Sequence, residues 1–142
     1  MRIAKHIGIV AVSAEGAALC YRTICLEGAK VLGPHSHPEV TMHTIPLAEY
    51  MRYVEGARWE EAGRLLLSSA KKLAAVGADL LVCPDNTLHQ ALDLIRGDSP
   101  AAWLHIAQRK SPRSLQSEVL GGWVSSALVT SWKAPSIKRS YR

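Results

Sequence analysis

Apolar residues fall into short continuous runs that alternate with stretches of helical spacing. Lys5–Val12 (KHIGIVAV) is a β-branched run suited to a strand buried on both faces. Ser13 is placed to cap a helix. Ala17, Leu19, Cys20 and Ile24 recur at helical spacing, which predicts that helix over Ala14–Leu32, ending at Gly33-Pro34. Glu39–His43 alternates between Pro38 and Pro46 and reads as a second strand. Leu47–Val54 reads as a short helix. Trp59–Val76 is a longer one, with Leu66, Ala70, Leu73 and Ala74 three and four residues apart and Gly77 closing it. Leu80–Cys83 is a third buried strand, Pro84-Asp85-Asn86 a loop, and Thr87–Ile95 a further helix.

Strand–helix alternation implies an α/β fold: a parallel sheet flanked by helices, joined by right-handed crossovers. Ligand sites in such sheets lie beyond the carboxyl ends of the strands. Those ends are Val12–Ser13, His43–Thr44 and Cys83–Thr87. No internal repeat is evident.

At 142 residues the chain is about one domain long, and its 48% apolar content is enough for one core. No run is long and apolar enough to span a membrane, and the apolar run near the start, with Glu15 soon after it, reads as a strand and not as a signal peptide. Three cysteines at irregular spacing fit a reducing, cytoplasmic setting. The net charge of +5 raises nucleic acid as a partner, but its distribution argues against it. Residues 1–107 carry 10 Lys/Arg against 11 Asp/Glu, while residues 108–142 carry 7 against 1. The basicity belongs to the tail.

The most informative segment is Cys83–His89 (CPDNTLH), a strand end that opens a helix. Backbone N–H groups there favour an anion, which Asn86 and Thr87 are placed to hold. The competing reading is that Asp85 or Asn86 simply caps the helix. Cys83 reads as a buried strand residue in preference to a nucleophile, and Cys20 and Cys25 as helix packing. His43, at a strand end, either binds a carboxylate or hydrogen-bonds within the sheet. His35 and His37, two apart on an irregular Pro-rich loop, with His43, could suggest a metal site, but such histidines are seldom ligands without a carboxylate or thiol partner, so no metal is expected.

Asn86-Thr87-Leu88-His89 resembles the Asn-Thr-x-His stretch next to the first catalytic cysteine of the aspartate/glutamate racemases. Ile7-Gly8-Ile9, Ser13-Ala14-Glu15 and Tyr21-Arg22 look like that family's first strand, loop and helix. His37-Pro38-Glu39 with Met42-His43 is similar to its second strand. Trp59 with Ala62-Gly63, and Ala75–Asp79, fit the approach to the third strand. The resemblance covers roughly residues 3–107 and implies the first of two similar domains.

It further implies racemisation of an amino acid or dicarboxylate without pyridoxal phosphate or any other cofactor. One base removes the α-proton and a second, on the opposite face, returns it. Homodimers are common in the family. In this chain Asp85 stands just before Asn-Thr, where the family has cysteine. On the resemblance Asp85 is the acid/base, with Asn86, Thr87, His43 and Ser13 binding substrate. The second base belongs to the missing second domain, so little or no activity is expected of this chain.

Residues 108–142, with 8 Ser and 7 Lys/Arg, match nothing in that second domain as protein. Recoded one frame over, each codon takes the third base of one residue and the first two of the next. Trp123–Val124 then force Gly, and Trp132–Lys133 force Glu. With permitted third bases elsewhere, Ser126–Tyr141 becomes GTRYLMEGPVYQEKL, preceded from Gln108 by EEVAAEAAKRGFRRVGLL. That run resembles the opening of the family's second domain and suggests a frameshift near Gln108. The alternative is a solvated basic tail.

Overall fold

The computed structural model describes residues 6–104; the 108–142 tail and its proposed frameshift lie outside them. Four parallel strands form one sheet in the order β2-β1-β3-β4: β1 Ile7–Ala11, β2 Val40–Thr44, β3 Leu80–Val82 and β4 Ala102–Leu104. The helices are α1 Ala14–Leu32, α2 Leu47–Val54, α3 Trp59–Ala75 and α4 His89–Ile95, with a 3-10 turn at Arg96–Asp98 after the last. The α/β class read from the pattern is the observed one.

The central strand β1 is buried throughout because both faces are covered. Ile7, Ile9 and Ala11 face α1, where Ala17, Cys20 and Ile24 supply the apolar stripe, joined by Leu80, Val82 and Leu104. Val10 and Val12 face the other way, with Leu81 and Cys83, onto Leu66, Ala70 and Leu73 of α3 and Ala91, Leu92 and Ile95 of α4. Removing these side chains from water at roughly 25 cal/mol per Å² supplies most of the drive to fold.

The ends of α1 obey sequence cues. Ser13 Oγ accepts the Gly16 N–H at 3.2 Å. At the far end Gly33, at φ 105°, donates its N–H to the Ala29 carbonyl. Helices α3 and α4 approach closely at Gly63, where a Cβ would lie 2.8 Å from Ile95 Cγ2 and 3.1 Å from the Ala91 carbonyl oxygen.

Five elements differ by one or two residues from the sequence reading, and one strand is new: β1 is Ile7–Ala11 and not Lys5–Val12, β2 is Val40–Thr44 and not Glu39–His43, and α3 ends at Ala75 and not Val76. β3 ends at Val82 instead of Cys83, since Pro84 has no N–H to extend the ladder. α4 starts at His89 instead of Thr87, because residues 86–88 form a turn first. β4 was not foreseen: three residues show no measurable alternation, and they become a strand by pairing with β3. No described helix is long and apolar enough to cross a membrane.

Candidate active site

The sheet order places a topological switch between β1 and β3, since α1 leads from β1 to β2 on one side while β3 lies on the other. In open α/β sheets the crevice at such a switch is where ligands bind. Ile9 pairs with Val82, so Ser13 and Asn86, each four residues further on, leave the same end of neighbouring strands. Ser13 is half-buried, and its oxygen is engaged in capping α1, which leaves its O–H as a donor.

The loop after β3 is built around Asp85. Its Oδ1 accepts the Leu88 N–H at 3.1 Å, and the Thr87 N–H also bonds the carboxylate. Asp85 thus ties down the turn over residues 86–88 and is not the N-cap of α4, which is Leu88 without a side-chain cap; the Leu88 N–H is not free for a ligand. Burial pushes the Asp85 carboxyl above the usual carboxylate range, while those N–H groups and the nearby His89 pull it partly back. Asn86 and Thr87 lie beside it, both exposed. Cys83 is wholly buried just beneath the loop. Burial, with the Asp85 charge nearby, pushes its thiol far above the ordinary range, which disfavours the nucleophilic thiolate.

Two participants escaped the sequence reading. His89 bonds the Cys83 carbonyl with its ring and is attracted by Asp85, which folds the loop onto the start of α4; burial still lowers its pKa. Its place in Asn-Thr-x-His was the available signal. Tyr50, on α2, is buried in the same core cluster as Cys83 and Leu88. Its position in an ordinary amphipathic helix gave no signal.

His43 is placed elsewhere. It pairs with Val10, inside the β1 ladder and not beyond its end. Its Nδ1 lies 2.7 Å from Ser69 Oγ of α3, and its Nε2 lies 3.5 Å from Lys72 Nζ. An ammonium only donates, so Nε2 accepts and Nδ1–H donates to Ser69. Burial first, then the Lys72 charge, lowers the His43 pKa. Of the two sequence readings, this is hydrogen bonding, across to a helix. Cys20 is buried on α1 with its thiol pushed up to about 12, and Cys25 is half-buried. Among the described residues no three His, Cys, Asp or Glu side chains gather as metal ligands.

No protein-family model matches the chain. Among solved structures it is similar to a protein of Yersinia pestis assigned as an Asp/Glu racemase, at 27% identity and a TM-score of 0.69. It is also similar to an aspartate racemase homologue from Pyrococcus horikoshii OT3, at 25% identity and a TM-score of 0.65. Each match covers 72% of this chain and 45% of the other, so the chain spans less than half the length of either. The described fold is a racemase-type α/β fold, and the extent of the match is consistent with the N-terminal domain of such a protein.

Proposed function

We propose that this chain carries one half-site of an amino-acid racemase acting on aspartate- or glutamate-like substrates. The supporting observation is the placement of Asp85: a partly buried carboxyl, its pKa raised by burial, at the β1/β3 switch of a racemase-type fold. A raised pKa makes the carboxylate a stronger base towards the α-proton.

In this reading Asn86, Thr87 and the Ser13 hydroxyl hold the substrate carboxylate. Asp85 removes the α-proton and becomes a neutral acid. The electron pair left on the α-carbon delocalises into the substrate carboxylate, where the same donors stabilise the added charge. Returning the proton from Asp85 restores the starting enantiomer, whereas inversion needs a second acid on the opposite face. Cys83, buried beneath the loop, does not supply it. No cofactor enters this scheme.

The test is α-proton exchange. The full chain, incubated with L-aspartate or L-glutamate in heavy water, is expected to incorporate α-deuterium with little net racemisation, and Asp85→Asn to stop it. Substantial racemisation by the chain alone would refute the half-site.

A second reading is a carboxylate binder without catalysis, favoured by the engagement of Asp85 Oδ1 with the Leu88 N–H. Dicarboxylate-induced thermal stabilisation without deuterium incorporation would select it.

A further inference from the structure

Tyr50 is the one buried residue of α2, 1% exposed, and its hydroxyl has no hydrogen-bond partner among the described residues. Buried tyrosines ordinarily bring the O–H to a partner. Phenylalanine would fill the same space without leaving a polar group unsatisfied. The ring packs in the cluster that contains Cys83 and Leu88, the residues on either side of the Asp85 loop. Burial first, then the Cys83 and Asp85 charges, keeps the phenol from ionising, so it remains a neutral donor across the physiological range. The Asp85 charge is thus felt at Tyr50, the one carried by the loop after β3 and the other by the helix after β2.

We propose that the Tyr50 hydroxyl is a ligand-binding donor of the Asp85 site, hydrogen-bonding a carboxylate oxygen of a small dicarboxylate such as aspartate or succinate. The inference rests on the carboxylate-binding part of the proposed function and adds the partner on α2. It also explains why an unsatisfied phenol stands where phenylalanine would cost less: the hydroxyl is satisfied in the bound state.

The experiment compares the full chain with Tyr50→Phe by calorimetric titration with L-aspartate and succinate, alongside thermal melts without ligand. Tyr50→Phe is expected to melt at the same temperature or higher and to bind about tenfold more weakly, the loss of one hydrogen bond to a charged group. A purely structural tyrosine would leave affinity unchanged. In the unmodified chain, ligand is expected to shift the ring resonances of Tyr50 more than those of Tyr53 on the same helix, a readout that does not depend on the variant. Equal affinities, or an unmoved Tyr50 resonance on saturation, overturn the role of Tyr50 alone. Absence of dicarboxylate binding by the unmodified chain overturns the carboxylate-binding reading and this inference with it.

Discussion

Two histidines with similar electrostatics do different work. His43 and His89 are both shifted down chiefly by burial. His43 sits within the β2 ladder and ties that edge strand to α3 through Ser69 and Lys72. His89 sits beyond the end of β3, where its ring holds the Cys83 carbonyl and faces Asp85. A residue inside the ladder spends its polar atoms on holding layers together. One past the strand end shapes a loop whose neighbours, Asn86 and Thr87, keep contact with solvent. On this contrast, the flank of β2 and α3 should govern stability, and the loop after β3 should govern ligand binding.

The harshest way to break the contrast is to disturb both regions at once. Gly63→Val forces a branched side chain against Ile95 and the Ala91 backbone at the α3–α4 contact. It is expected to cost about 3 kcal/mol, read as a drop in the urea midpoint, because the helix carrying the loop cannot move without opening the core.

Ser69→Ala tests the flank alone. It leaves the His43 Nδ1–H without its partner and should cost about 1–2 kcal/mol in chemical denaturation. Dicarboxylate affinity should not change; a change of about threefold or more, some 0.6 kcal/mol, would erase the distinction between the regions.

Asp85 tests the loop. Asp85→Ala removes the acceptor for the Leu88 N–H and should cost about 1 kcal/mol, the usual net worth of one hydrogen bond. Asp85→Asn keeps an acceptor of the same shape and should be neutral or slightly stabilising at about pH 7. The sign comes from linkage: folding raises the Asp85 pKa, so its contribution is fully present below the ordinary carboxylate pKa and is lost as pH rises through the folded value. Both variants should abolish deuterium exchange. A stability profile for Asp85→Asn that tracks the parent chain from about pH 4 to 7 would contradict the raised pKa.

The smallest effect is in the histidine titrations. Both rings should titrate below the ordinary histidine value by nuclear magnetic resonance. Their depressed folded pKa values mean that the associated stability is present above the ordinary histidine pKa and is lost as pH falls through the folded values. Ser69→Ala should move the His43 midpoint and leave that of His89 in place.

Much of this was legible in the residues themselves. Continuous β-branched runs, helical spacing and the cues at Ser13 and Gly33 depend on neighbours a few positions away, so they yield the α/β alternation and the extent of α1. Asn-Thr-x-His after a strand pointed to the loop that the structure folds around Asp85. Other features depend on distant pairings. The three residues of β4 become a strand only beside β3, and His43 acquires its role from Ser69, 26 residues away. Tyr50 looks unremarkable in its helix until the fold buries it in the core cluster that also holds Cys83 and Leu88. Local spacing is set by the chain's own geometry and can be read along it, whereas burial, protonation and hydrogen-bond partners are set by what the sheet brings together.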